Sequence, residues 1–157
     1  MSRTYDGSLS GRQTLKTPAL LGWLRLMRVY HKVNRHTAGR LKGWGLSVAQ
    51  FDVLAHVGAA EGITQQELAD SLLVTKGNVC QLLGKMEDRG LISRRHEGRT
   101  NRLFLTDEGR RLFEEVVPAH EAGIAERFSV LSAEDQARLH ELLRRFDRAL
   151  DAHDEEV

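Results

Sequence analysis

Cysteine and proline are scarce in this chain of 157 residues, which contains one cysteine and two prolines. A single thiol cannot form an intramolecular disulfide and provides no cluster of sulfur ligands for a structural zinc ion. No apolar run approaches the roughly 18 to 20 residues that cross a bilayer, and residues 1–17 contain no apolar stretch that resembles a signal peptide. We therefore expect a cytoplasmic protein that has no membrane partner and is stabilised by packing.

Net charge is also nearly absent, at +1, but the charged residues are unevenly distributed. Residues 75–106 contain seven basic and three acidic side chains, whereas residues 107–157 contain seven basic and fourteen acidic ones. A basic segment beside an acidic one is typical of a protein that presents one face to a polyanion. A charged face that is merely solvated explains the same counts, so charge alone does not decide the function.

Capping signals divide the first half of the chain into four predicted helices. Residues 1–16 are polar, without apolar periodicity, and are expected to form a mobile arm. The first helix extends to Gly43, and the fourth ends at Gly90, where a left-handed glycine is expected. The starting signals lie at Thr17-Pro18, Ser47 with Gln50, Thr64 with Glu67, and Thr75.

The second half begins with a change of period. Residues 91–105 alternate at a period of about two on either side of a polar turn at Gly98, which predicts a β-hairpin with a basic tip. Thr106 can cap the following helix, which Pro118 is expected to kink or divide. A last helix begins at Ser132.

This order of elements is the winged helix-turn-helix arrangement, which is mainly α with a small β-wing. In that arrangement one helix enters the major groove of DNA and the hairpin reaches the neighbouring minor groove. Within a single unit spanning 17–157, residues 46–106 are the predicted DNA-binding part. The helices within 17–43 and 107–152 carry more apolar positions than a small winged domain can cover, so we expect them to be dimerisation helices.

Several motifs follow one another in a characteristic order, and together they span about residues 20–150. They are LSVAQFDVL (46–54), ITQQELA (63–69), VTKGNV (74–79), LLGKMEDRGLI (82–92), Arg94-Arg95, Arg99 and LFLTDEG (103–109). In these motifs the chain resembles the MarR family of transcriptional regulators, named for multiple antibiotic resistance. The resemblance implies a homodimeric, ligand-responsive repressor that binds a palindromic operator in double-stranded DNA, and no cofactor is expected.

The predicted fourth helix and the hairpin supply the candidate DNA contacts. Polar side chains opposite the apolar face of that helix can read base edges, whereas glutamines of the third helix and arginines of the wing fit phosphate better. The resemblance assigns Arg99 to the minor groove. The family commonly has Asp-x-Arg at this turn, but this chain has Glu97-Gly98-Arg99, so a bracing role for Glu97 stays open. The full set is Gln65, Gln66, Thr75, Lys76, Gly77, Asn78, Gln81, Arg94, Arg95, Arg99 and Arg102.

The resemblance also implies that a small aromatic or phenolic acid binds between the dimerisation and DNA-binding parts. The second half of the first helix is expected to approach the second helix there, where aromatic walls and one cation suit such a ligand. The candidate effector residues are Tyr30, His31, Arg35, Phe51 and His56. Equally, the aromatic members of this set can be core residues and the others ordinary surface residues.

The sequence leaves alternative functions to consider. A sequence-tolerant architectural DNA-binding protein would bind random duplex as well as any operator. Metal or redox control of the same fold is the other alternative, although the seven histidines lack metal-ligand spacing and Cys80 has no resolving partner. No nucleophile or phosphate-loop motif is present, and Asp52 and His56, one helical turn apart, more often form a surface contact than a catalytic pair. We therefore predict neither a metal site nor an enzyme.

Overall fold

The computed structural model describes residues 17–72 and 74–154, and the predicted arm of residues 1–16 lies outside them. Within the described part, no helix is long and apolar enough to cross a membrane. The elements in chain order are α1 (Pro18–Leu41), a 3-10 helix (Lys42–Trp44), α2 (Val48–Ala59), α3 (Gln65–Ser71), α4 (Lys76–Asp88), β1 (Ile92–Glu97), β2 (Thr100–Leu105), α5 (Asp107–Phe128) and α6 (Ala133–Asp154).

Side-chain caps start the helices where the sequence predicted them. In each cap a hydroxyl oxygen accepts a hydrogen bond from the backbone N–H three residues later, which satisfies one of the free amides of the first turn. Two of these caps are complete capping boxes, because the side chains of Gln50 and Glu67 also accept from the backbone N–H of the capping residue. The capping residues are Thr17, Ser47, Thr64, Thr75, Thr106 and Ser132.

Two boundaries differ from the prediction. The first helix, predicted to extend to Gly43, ends at Leu41 and tightens into the 3-10 turn, after which Gly45 is left-handed at φ 67°. α5 runs through Pro118 as one helix, so Pro118 does not divide it; a kink at Pro118 stays a prediction. Pro118 is exposed, and water can therefore satisfy the carbonyl that has lost its amide partner, while the fully buried Val116 holds the helix against the core.

The core surrounds α2 and joins it to α3, α4, the hairpin and α5. Leu54 of α2, Leu83 of α4 and Leu103 of β2 are completely buried, together with Val116 of α5. Fully burying a side chain of this size stabilises the fold by roughly 1.5 to 3 kcal/mol. Helix α4 and the hairpin are therefore held at fixed positions relative to α2.

The linker between α2 and α3 pairs with the hairpin. Gly62 donates its N–H to the carbonyl of Leu103 at 2.8 Å, and Leu103 donates to the carbonyl of Ile63 at 2.9 Å. β1 and β2 form an antiparallel pair in which Glu97 lies opposite Thr100, and Gly98 takes the left-handed conformation at φ 63° that the tight turn requires. The start of α3 is thereby attached to β2.

The contact between α2 and α5 carries a cluster of titratable groups. The ring of Phe51 packs on His120 with centroids 4.4 Å apart, and His56 Nδ1 lies 2.7 Å from the carbonyl oxygen of Asp52. Burial raises the pKa of Asp52 above 3.8, opposed by the charges of His56 and His120. Burial also lowers the pKa of His120 below 6.5; Asp52 opposes this shift, and Arg40 adds to it.

We predict that His120 makes folding stability depend on pH near neutrality. Because its pKa is lower in the folded state, the unfolded chain takes up the proton first, and stability falls as pH decreases through 6.5. Asp52 contributes with the opposite sign, since its folded state holds the proton to a higher pH than the unfolded chain does. Denaturant unfolding of His120→Gln at a series of pH values should therefore give a smaller loss of stability on acidification than the wild type.

The matched control is His96→Gln, because His96 is exposed on the wing. It should retain the wild-type dependence of the unfolding free energy on pH. A His120→Gln protein that lost stability on acidification as steeply as the wild type would contradict the prediction.

Candidate nucleic-acid interface

Helix α4 has one buried and one exposed side. Val79, Leu83 and Met86 are fully buried against the core, at the spacing of one helix face. The opposite side therefore exposes Asn78 and Gln81, together with other predicted contacts. Those brought together there are Thr75, Gly77, Asn78 and Gln81, and the side chain of Lys76 lies outside the described residues.

The start of α3 presents amide side chains beside that surface. Gln65 is half-buried and Gln66 is exposed, with Gln66 Nε2 donating to Asp70 Oδ1 at 2.7 Å. Glu67 Oε2 accepts the backbone N–H of Thr64 at 2.8 Å, and this hydrogen bond lowers the pKa of Glu67. The Glu67 carboxylate thus satisfies the backbone N–H of Thr64, and Gln65 and Gln66 supply the amide side chains at the start of this helix.

Two wing arginines extend toward solvent. Arg95 lies over the ring of Phe104, with its guanidinium carbon 4.4 Å from the ring centroid. Arg99 is exposed at the tip, directly after the left-handed Gly98. Across residues 17–72 and 74–154, neither arginine takes part in an ion pair. Their positive charges are therefore available to a polyanion.

Arg94 differs from the expectation of a free phosphate contact. Its guanidinium forms an ion pair with Glu87 of α4, and its Nη1 lies 4.0 Å from Cys80 Sγ. The Glu87 carboxylate raises the pKa of Arg94. The pair connects β1 to the end of α4, and Glu87 is a residue whose role the sequence reading missed.

Arg102 is also held within the protein. Its Nε lies 2.6 Å from Glu97 Oε2, and its Nη1 donates to the carbonyl of Gly62 at 2.9 Å. Glu97 therefore pairs with Arg102 and leaves Arg99 unbraced. The hairpin register carried this signal, because Glu97 and Arg102 occupy diagonal positions on one face of the two strands.

The five candidate effector residues fall into two groups. Tyr30 and His31 contact edge to face, with ring centroids 5.6 Å apart, and both are exposed on α1 with Arg35. On α2, His56 is half-buried, and Phe51 is only 5% exposed because it packs on α5. Phe51 is therefore a core residue rather than the aromatic wall of an open cleft.

A different cavity lies between α2, the linker after α3 and α4. Its volume is about 330 Å³. Leu72 and Leu82 give it apolar walls, and Asp52 and Lys85 supply one charge of each sign. Asn78 and Gln81 line the same cavity, so an occupant would touch the exposed face of α4.

Comparison with known proteins identifies the family to which these features belong. A sequence profile of the MarR family matches residues 44–102. The chain is 35% identical over 122 residues to an HTH-type transcriptional regulator of Bacillus cereus, covering 77% of this chain and 83% of that protein.

Solved structures agree in fold. The crystal structure of the S. aureus MepR–DNA complex is similar with a TM-score of 0.75 at 23% identity, covering 83% of this chain and 97% of that one. A Mycobacterium tuberculosis MarR family protein in complex with salicylic acid has a TM-score of 0.63 at 28% identity, covering 80% and 95% of the two chains. With its capped helices, buried α4 face and two-stranded wing, the chain belongs to the MarR family of winged helix-turn-helix transcriptional regulators.

Proposed function

We propose that the protein is a homodimeric repressor that recognises a palindromic operator in double-stranded DNA and releases it when a small aromatic acid binds. The observation that carries the proposal is the polar side of α4, where Asn78 and Gln81 are exposed, together with the exposed wing residues Arg95 and Arg99, which form no ion pair within the described residues. We expect the protein to act in the cytoplasm, where that DNA lies.

In this proposal the side chains of α4 contact the DNA bases. The side-chain amides of asparagine and glutamine can pair bidentately with adenine. The ammonium group of a lysine, as at position 76, suits guanine acceptors or phosphate. At Gly77 the position that a Cβ would occupy lies in open space, with no protein atom within 4 Å. Because glycine has no Cβ, the backbone of the helix can approach the DNA closely there. Thr75, Gln65 and Gln66 are proposed to contact phosphate.

The wing divides its arginines between two tasks. Arg99 is proposed to enter the minor groove, and Arg95 to contact phosphate from its position on Phe104. We assign Arg94 to the internal contact with Glu87, which orients the wing against α4.

We predict that base-reading and phosphate-contacting residues respond differently to DNA sequence and salt. Asn78→Ala and Gln81→Ala should each weaken binding to the operator by roughly 1 to 3 kcal/mol and leave random duplex almost unaffected. Arg95→Ala should weaken both DNAs about equally and reduce the slope of log affinity against log salt by about one. Fluorescence anisotropy at several salt concentrations measures both effects, after genomic footprinting has supplied the operator.

A control and an alternative accompany this experiment. Arg111→Ala removes an exposed arginine of α5 and should change neither operator specificity nor the salt slope. Equal losses on operator and random DNA for all three interface variants would favour a sequence-tolerant architectural protein instead.

The dimer is proposed from the apolar surface of α1 and α6. No residue between 133 and 152 of α6 is buried. Its apolar side chains Leu142, Phe146 and Leu150 are therefore left about half exposed. A groove of about 590 Å³ lies between this face and the Trp23 side of α1. A second copy of the chain presents the same apolar faces and can cover both helices by two-fold symmetry.

We predict that Leu142→Asp combined with Phe146→Asp produces a monomer or an unfolded chain. Two unpaired carboxylates in an apolar interface cost several kcal/mol, because neither gains a partner there. Ala137→Asp with Arg148→Asp adds as many acidic groups at exposed positions of α6 that do not line its grooves with α1, and should remain dimeric. Multi-angle light scattering reports the mass, and a folded Leu142/Phe146 double variant that is still a dimer would contradict this interface.

The ligand response is proposed from the salicylic acid complex of the related protein and from the cavity beside α4. A ligand releases DNA only if it binds the released conformation more tightly, and a shift from 99:1 to 1:99 requires about 5.5 kcal/mol of difference. The cavity offers Lys85 to a carboxylate and places the ligand against Asn78. The alternative site predicted from the sequence instead offers Tyr30, His31 and Arg35 of α1 and His56 of α2, without Phe51 as an open wall.

We predict that salicylate dissociates the operator complex and that Lys85→Ala raises the concentration needed for half release. The loss of the cation weakens ligand binding, whereas Lys85→Arg should keep the response. Arg35→Ala tests the cleft in the same anisotropy titration, with operator affinity measured first for each variant. A wild-type salicylate response in both alanine variants would exclude both sites.

A further inference from the structure

One guanidinium connects the tip of the wing to the linker before α3. Arg102, near the start of β2, reaches Glu97 Oε2 with its Nε at 2.6 Å. The same side chain donates from Nη1 to the carbonyl of Gly62 at 2.9 Å. Gly62 lies in the linker with φ 87°, a conformation that favours glycine. Arg102 therefore makes two contacts within the protein, one on each side of the strand to which it belongs.

The linker end of this connection is fixed by backbone pairing. Leu103 exchanges hydrogen bonds with Gly62 and Ile63, and Thr64 forms a bridge with Arg102. Thr64 is also the cap of α3. A two-stranded hairpin is only marginally stable by itself, so these contacts determine the direction in which the wing projects. Among the ion pairs of the described residues, the Arg102–Glu97 pair extends this support toward the tip.

Two arginines face each other across the hairpin, and their side chains point in opposite directions. Arg95 and Arg102 are directly opposite in the register, where like charges repel. Arg95 leans onto Phe104, toward the base of the wing, and Arg102 leans to Glu97, toward the tip. The charge of Arg102 is therefore compensated, whereas that of Arg95 is not. The pairing also explains how a carboxylate is accommodated two residues before Arg99.

We propose that Arg102 is a positioning residue of the wing, which holds Glu97 and the Gly62 carbonyl so that Arg99 projects into the minor groove. It makes no contact with DNA itself. This inference rests on the proposed DNA-binding function, and it revises the expectation that Arg102 contacts phosphate. Glu97 is part of the same device, as the anchor that Arg102 holds near the turn.

Glu97→Gln separates the two roles by the sign of its effect. If Arg102 were a phosphate contact that Glu97 competes for, removing the carboxylate would free the arginine, tighten DNA binding and steepen the salt dependence. If Arg102 positions the wing, the same change weakens operator binding, by about three- to fivefold, which is what one exposed ion pair can sustain. Glu97→Asp, which restores the acid, should recover part of the affinity. Glu108→Gln, which breaks an exposed ion pair on α5, is the matched control and should have no effect.

A double-mutant cycle with Arg99 tests the coupling. Arg102→Ala should weaken operator binding in the wild-type background and have almost no further effect in Arg99→Ala, because the group that it positions is already absent. Additive losses from the two substitutions would show that Arg102 contributes a contact of its own. Together with tighter binding by Glu97→Gln, that result would overturn the proposal.

Amide hydrogen exchange without DNA makes the inference separable from the proposed function. Glu97→Gln and Arg102→Ala should accelerate exchange in the wing and at Gly62, while the buried face of α4 exchanges as in the wild type and the thermal transition is retained. Unchanged wing exchange in both variants would refute the positioning role even if DNA binds. If both variants exchange faster in the wing but the wild type binds no DNA, the positioning role of Arg102 stands and the DNA-binding function is refuted.

Discussion

The burial of one face of α4 is the constraint on which the interface depends. Val79, Leu83 and Met86 pack completely into the core beside Leu54 and Leu103. Since a helix has two sides, this packing also determines which of its polar residues remain outside. The surface that we propose to read DNA is thus produced by the same contacts that stabilise the fold, and rotation of α4 would expose apolar side chains at a cost of roughly 1.5 to 3 kcal/mol for each one.

Internal pairing decides which basic groups of the wing are available. Glu87 and Glu97 each hold an arginine of the hairpin, whereas Arg95 and Arg99 remain unpaired across the described residues. Exposed ion pairs contribute little to stability, so these pairs matter because they orient the arginine side chains of the wing. The Arg94–Glu87 pair ties the wing to α4, and the Arg102–Glu97 pair ties the two strands of the wing together. Arg95 and Arg99 remain facing outward.

The apolar surface outside the DNA-binding unit has a separate physical explanation. α1 and α6 expose leucines and aromatic side chains that the single chain leaves uncovered, and large exposed apolar surfaces mark association sites. In the proposed dimer these helices fix the spacing of the two recognition helices. The packing of Phe51 on His120 joins α2 to α5.

The sequence alone determined the helix starts, the hairpin turn and the inward face of α4. These features follow from local rules: hydroxyl caps three residues before an amide, left-handed glycines, and apolar spacing at the helical period. The family also followed from the sequence, because its motifs lie in a characteristic order. Only the tertiary structure decided that Pro118 lies within a continuous helix, that Phe51 is buried, and that Arg94 and Arg102 are neutralised by Glu87 and Glu97. Each of these outcomes depends on which side chains other elements bring within a few ångströms, and the local sequence does not specify those distances.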